Sequence, residues 1–310
     1  MFIRNLKNKM SKKFTKKMII IFLSILILIF LMLKNEFFFN AINYVAKYFD
    51  YYKDKYLNGI FNNLYLGGYL SIYIEGDLQN IISGIYLYGV TFSNVLYPIF
   101  MVIVSLIIFS RVSNEYFCEL HKKSSSSKII RIGLDKYVNN TIISNSVYYG
   151  LIIMLPKILY FILLLIFFPI GSTLTHYINS ATYLEADAFL YQTYLTNPYI
   201  LIVYDLVLSF IYGVIIYYIS LIVVSLSKKQ SMSYFVFIFT LAILSIIASK
   251  TGQVPIVFWH SFFSYYSQVT QKTIGISSEF SPVIFTLILS IIIGISTKFI
   301  YKKAVENTIW

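Results

Sequence analysis

Few side chains in this chain could do chemistry, and their spacing already limits what that chemistry is. The three histidines, His121, His176 and His260, fall in three separate segments. No HExxH and no paired Cys/His spacing occurs, so no metal centre is expected. The single cysteine, Cys118, has no partner for an intramolecular disulfide and reads as an incidental apolar residue. There is no GxSxG nucleophile elbow and no GxxxxGK[ST] phosphate loop. Glu185 and Asp187 form a close acidic pair near His176, which reads as a solvated loop.

Two charges stand out by position. Lys157 follows Pro156 inside the apolar run LPKILYF, and Asp205 precedes a long uncharged run, Leu206 to Ser227. A charge inside a membrane is costly and usually faces protein or water. Lys157 is therefore either a polar group in a translocation path or a lysine that snorkels or pairs structurally. Pro156 frees a backbone carbonyl one turn earlier, which can accept from the ammonium. Asp205, preceding that uncharged run, can sit at the outer interface. A Lys157–Asp205 pair would ask two helices to meet across about 10 Å of depth, at 1.5 Å rise per residue. With no paired acid and base inside the apolar runs, an intramembrane enzyme is disfavoured.

The elements that must position these groups are apolar helices. Of 310 residues, 58% are apolar and only 12% charged, with a mean hydropathy of +0.73. A soluble domain carries about 25% charged residues. That shortfall excludes a disordered chain and argues strongly against a soluble globular one. A bilayer core needs roughly 20 apolar residues of helix. The spacing predicts six transmembrane helices, over about 18–33, 88–109, 144–170, 199–227, 231–249 and 281–297. The chain reads as a single transmembrane domain spanning 1–310, because no segment outside the membrane is long enough for an independent one. The basic start lacks a small-residue cleavage site, so the first run is expected to be retained as a span.

The net charge of +12 fits membrane topology better than nucleic-acid binding, since the basic residues flank apolar runs. With the amino terminus inside, eighteen Lys and Arg fall on the inner side and six on the outer side, with Lys157 remaining. Both termini are then cytoplasmic. A long outer segment covers about 35–85, and an inner loop covers 111–143. The uncharged, Ser- and Thr-rich stretch 251–271 is expected as an outer, partly re-entrant segment between spans five and six.

The inner loop carries most of the information. Its second half, KIIRIGLDKY, sets Ile129, Ile130 and Ile132 beside Lys128, Arg131 and Lys136. A short amphipathic helix on the inner surface would explain that pattern. It is either a basic membrane-surface segment or a docking helix for a cytoplasmic partner.

On these residues and this topology the chain resembles the type-2 ABC transporter permeases, the membrane subunits of bacterial ABC exporters. Members from low-GC Gram-positive bacteria carry an acidic residue, a polar stretch and then a pattern similar to I-x-x-R-I-G-x-x-K-Y. Glu115 and Glu119 followed by IIRIGLDKY match it, through Arg131, Gly133, Lys136 and Tyr137. The opening NPYILIVYD of the fourth span and the segment before the sixth also look like the family. The glycine that commonly follows the acidic residue is missing, and HKKSSSS stands there instead. The later lysine of the pattern is also replaced.

The resemblance implies a cytoplasmic coupling-type helix between spans two and three. Glu115, Glu119, Arg131, Gly133, Lys136 and Tyr137 would dock a separate ABC ATPase. It implies a homodimer, or a heterodimer with a similar permease, in a bacterial cell membrane. No cofactor is expected in this chain, since ATP and Mg would sit on the partner. Lys157 and Asp205 are then the polar candidates for the path. The aromatic outer segment FFFNAINYVAKYFDYY would suit an amphipathic cargo, peptide or lipid-like, and the family's roles include antimicrobial-peptide export. The other reading is a non-transporting immunity or assembly factor that binds a partner protein.

Overall fold

The computed structural model describes residues 2–32, 84–93, 96–121, 129–168, 197–251 and 281–309. Among these residues every regular element is helical. A short amphipathic helix α1 (Phe2–Met10) leads into α2 (Lys13–Met32). There follow α3 (Gly84–Ser93), α4 (Leu96–His121), α5 (Leu134–Phe167), α6 (Pro198–Leu226), α7 (Gln230–Thr251) and α8 (Ser281–Ile309). Four stretches are long and apolar enough to cross a membrane: Lys13–Met32, Ile99–Cys118, Leu134–Phe167 and Ile202–Leu226. The chain is therefore an α-helical membrane protein.

The sequence explains which way each helix faces. On α2 the buried residues are Met18, Phe22, Leu26 and Ile29, a single stripe at helical spacing. Its other faces expose Ile20, Ile21, Leu28, Leu31 and Met32. In water such a surface would aggregate; against lipid tails it is the expected exterior. α8 shows the same pattern, with Ile288, Ile291, Ile292, Ile295 and Phe299 exposed.

α6 is the central helix and packs along α4, α5, α7 and α8. Two thirds (67%) of its most apolar window is buried, against 28% for α2. Its closest neighbour is α5, and glycine permits the approach. A Cβ built on Gly213 would lie 2.4 Å from the Tyr149 carbonyl oxygen and 2.7 Å from the Gly150 Cα. Small residues at a crossing let two backbones touch, which replaces the hydrophobic drive that lipid removes.

Contacts fix the relative direction of the helices. The start of α2, the end of α4, the start of α5, the end of α6, the start of α7 and the end of α8 all gather at one end of the bundle. Thr15 bonds Tyr148, Asn145 bonds Tyr217, Ser113 bonds Ser233, and Lys302 pairs with Asp135. Successive long helices thus alternate in direction. The shared end, rich in Lys and Arg, is called the basic end below.

Several expected boundaries move. The segment 111–143, read above as a loop, is helical through α4 to His121, again over 129–132, and in α5 from Leu134. α5 starts at Leu134 where the sequence suggested about 144, because its first turns are polar but lie against α1 and α8. It spans 34 residues, about 51 Å at 1.5 Å per residue, and so outreaches a bilayer core. The segment expected as span two is divided into α3 and α4. The outer segment 35–83, residues 169–196 with His176, Glu185 and Asp187, and the re-entrant stretch 252–280 with His260 lie outside the described residues.

Candidate functional site

The first candidate site lies between α3, α5 and α6. Lys157 points from α5 to Asp205 on α6, with Nζ at 3.1 Å from Oδ1 and 2.9 Å from Oδ2. The side chains are 3% and 1% exposed. From α3, the Tyr88 hydroxyl donates to Asp205 Oδ2 at 2.6 Å. The Lys157 ammonium also lies over the rings of Phe92 (4.3 Å to the centroid) and Tyr97 (4.9 Å). Tyr88, Phe92 and Tyr97 pack edge to face in turn, at centroid distances of 4.5 and 5.0 Å. The cation therefore meets a carboxylate on one side and two aromatic faces on another.

This geometry corrects one expectation: the disfavoured Lys157–Asp205 pair is formed, with Asp205 buried between helices. The helix ends supply the reason. Lys157 lies ten residues before Phe167, the end of α5, and Asp205 seven residues after Pro198, the start of α6. Measured from that shared end the depths are about 15 and 10 Å, a gap the lysine stem can bridge.

Among the described residues the pair is closely enclosed. The nook beside Lys157, walled by Phe22, Tyr97, Phe100 and Pro156, has a volume of only about 10 Å³. That is near the least a single water needs. A charge pair held so tightly can lock two helices in register, and among the described residues this nook beside it is too small for a substrate.

The second candidate site is at the basic end. There Glu115 accepts from Arg111 Nε at 2.8 Å, one helical turn away, and lies 3.8 Å from the Lys9 ammonium. Lys9 donates to Asn145 Oδ1, and Asn145 Nδ2 donates to the Tyr217 hydroxyl at 3.2 Å. Thr15 fixes the turn between α1 and α2 through the Lys9 carbonyl, at 2.7 Å, and meets the Tyr148 hydroxyl at 2.7 Å. Arg111 stacks over Phe14 at 4.9 Å. These contacts fold α1 back over the bundle and leave a cup of about 300 Å³, lined by α1, α4, α5, α6, α8 and Ile132.

The structure divides the residues that the sequence grouped for docking. Arg131 and Lys136 are exposed. Gly133 lies between them at φ +82°, where its N–H bonds the Ile129 carbonyl at 2.8 Å and its carbonyl accepts from Tyr137 at 3.0 Å. A left-handed φ favours glycine, and this one turns the helical stretch 129–132 away from α5. Among the described residues the surface helix expected over KIIRIGLDKY is a helical stretch at 129–132 that ends at the Gly133 elbow, after which the motif continues into α5. Tyr137 is buried and lines the cup, and Glu115 is engaged inside the molecule. Glu119 lies on α4, with its side chain outside the described residues.

Beside the elbow, in the polar first turn of α5, Asp135 pairs with Lys302 of α8 at 2.7 Å. The Lys302 ammonium holds the Asp135 carboxyl below its ordinary range, through the hydrogen bond first and the charge second. The same bond raises Lys302.

Sequence reasoning missed Tyr88, Phe92 and Tyr97 around Lys157, and Lys9, Arg111 and Asn145 around Glu115. The available signal was indirect: aromatic residues recur through YLYGVTFSNVLYPIF, and lysines cluster at the amino terminus.

Fold and sites together define an α-helical membrane protein with a buried interhelical charge pair and a polar cup at its basic end. The chain matches no protein-family model, no curated protein and no solved structure.

Proposed function

We propose that this chain is the permease subunit of an ABC-type exporter, driven by a separate ATPase that docks at the basic end. In this reading six spans cross a bacterial cell membrane, with both termini and the basic end in the cytoplasm. ATP and Mg sit on the partner, and two copies, or one copy with a similar permease, form the path.

The observation that carries the reading is the elbow at Gly133. It presents Arg131 and Lys136 exposed, beside Ile130 at 84% exposure, at the basic-end tip of a helix that runs the depth of the bundle. Charge gives such a contact specificity and the isoleucine gives it buried area. Motion of a docked ATPase would act directly on α5, and through the Gly150–Gly213 contact on α6. The cargo is proposed as amphipathic, peptide or lipid-like, from the aromatic segment 37–52.

A second reading, an immunity or assembly factor that does not transport, draws on the closed packing around Lys157. The experiment that separates the two is a gentle-detergent pull-down of the tagged protein from its native membrane, with mass spectrometry. A stoichiometric ABC ATPase, lost on Arg131→Glu, is the result expected. An intact, abundant protein that brings down no ATPase would favour the second reading.

A further inference from the structure

The outward face of α2 changes character along its length. Its buried stripe, Met18, Phe22, Leu26 and Ile29, faces the bundle. At about 100° per residue the opposite face carries the exposed Ile20, Leu28 and Leu31. The same face ends, toward the basic end, in Lys13, Lys16 and Lys17, also exposed. It passes from apolar to cationic within one turn, between Ile20 and Lys17. Among the described residues none of these three ammonium groups meets an acid; Glu115 is engaged by Arg111 and Lys9, and Asp135 by Lys302.

The bundle fixes the depth of that change. Thr15, between these lysines, meets the Tyr148 hydroxyl of α5 at 2.7 Å. From Tyr148 to its end at Phe167, α5 is about 28 Å long at 1.5 Å per residue. A bilayer core is about 30 Å thick. With Phe167 at one edge of the hydrocarbon, Lys13, Lys16 and Lys17 stand at the other, at headgroup level. Other exposed lysines of the basic end stand further out. The start of α5 runs about 21 Å past Tyr148, and Lys302, the neighbour of exposed Lys303, pairs there with Asp135. Lys228 and Lys229 follow the end of α6, about 16 Å past Tyr217. A soluble acidic partner would meet those outer tips first. A face continuous with Ile20 and Leu28 meets the headgroups of the same lipids whose tails it touches.

We propose that Lys13, Lys16 and Lys17 form a binding face for anionic phospholipid, each ammonium donating to a headgroup phosphate oxygen. α2 is the least buried of the four membrane-length stretches. Lipid held there braces a helix that the bundle grips along one stripe alone. The proposal does not depend on the permease reading, since it concerns only this chain and its bilayer.

The test reconstitutes the full-length protein in phosphatidylcholine vesicles and adds spin-labelled phosphatidylglycerol or spin-labelled phosphatidylcholine. The fraction of label immobilised at the protein gives the selectivity. Phosphatidylglycerol is expected to be preferred at least about threefold, and the preference to fall in 1 M salt. Lys13→Gln/Lys16→Gln/Lys17→Gln should bring it close to one. Lys228→Gln/Lys229→Gln/Lys303→Gln removes the same charge further from the lipid and should leave most of it. If the first variant does not fold, Lys13→Gln/Lys17→Gln, one turn apart, should still remove at least about half of the preference. Equal loss in the two triple variants would overturn the face in favour of net charge. No preference in the native chain, or one unchanged in 1 M salt, would overturn the headgroup contact. Loss of the preference to inorganic phosphate, but not to chloride of equal ionic strength, would assign the lysines to free phosphate and overturn the lipid source.

Discussion

Lys157 and Asp205 meet at 2.9 Å in the interior of the bundle, and the Tyr88 hydroxyl closes on the same carboxylate from a third helix. α3, α5 and α6 are thus joined through one carboxylate. Burial of two charges costs several kcal/mol each, so the pair contributes little net stability while both partners are present. What it contributes is a fixed register between α5 and α6, because the ammonium has two oxygens to meet and two rings to lie over.

The asymmetry of that arrangement gives the first prediction. Lys157→Met or Asp205→Asn alone strands the other group and should cost about 3–5 kcal/mol, the range for breaking one side of a buried pair. The double replacement Lys157→Met/Asp205→Leu should recover most of that loss. Thermal unfolding in detergent reads both. A double variant as unstable as the singles would show that the pair itself supplies the stability.

The α5–α6 crossing gives the second. At Gly213 an added methyl meets backbone, the Tyr149 carbonyl at 2.4 Å. At Gly150 it meets the Phe210 ring at 2.6 Å. A ring on a flexible side chain can swing aside; a helix backbone can yield only by separating the helices. Gly213→Ala should therefore destabilise by roughly 1–3 kcal/mol, the cost of overpacking a close contact, and Gly150→Ala by less. The reverse order in unfolding temperatures would mean the helices are not held together at Gly213.

Much of the helical plan was legible in the sequence because it rests on composition. Uncharged runs such as Leu206 to Ser227 and lysine clusters at their ends leave little choice of element in lipid. The partners of Lys157 were not legible. Periodicity places a residue on a helix, but pairing depends on where two helices end, and Pro198 and Phe167 set that together. The Gly133 elbow was half legible. The amphipathic pattern of KIIRIGLDKY was visible, but the positive φ that separates 129–132 from α5 is a property of the folded chain. Glu115 shows the same limit: the sequence groups it with residues for docking a partner, and the fold gives it to Arg111 and Lys9.

The elbow gives the third prediction. No atom lies within 4 Å of a Cβ built on Gly133, so a substitution there is strained only by φ +82°. Gly133→Ala should cost about 1 kcal/mol, as a left-handed L-residue does, and Gly133→Asn less, since asparagine tolerates that region. Gly133→Val should cost more than either. Unfolding temperatures ranked Asn, Ala, Val would support a purely conformational role; equal losses for all three would point to a steric contact instead.

The Asp135–Lys302 bond gives the last, and its sign follows from the two shifts. The Asp135 carboxyl is lowered from an ordinary value of 3.8, so its contribution is present above that value and is lost as pH falls through the lower folded value. Lys302 is raised from 10.5, so its contribution is present below that value and is lost as pH rises past the higher folded value. Between the two windows the bond helps hold α8 against the start of α5. Both groups are solvent-exposed, so the effect is small and weakens with salt. The native chain should therefore be more stable than Asp135→Asn near neutral pH in low salt. The difference should vanish in acid, below the ordinary aspartate range, and shrink in 1 M salt. A difference between native and variant unfolding temperatures that persisted unchanged into acid would assign the effect of Asp135 to the amino-terminal turn of α5 rather than to Lys302.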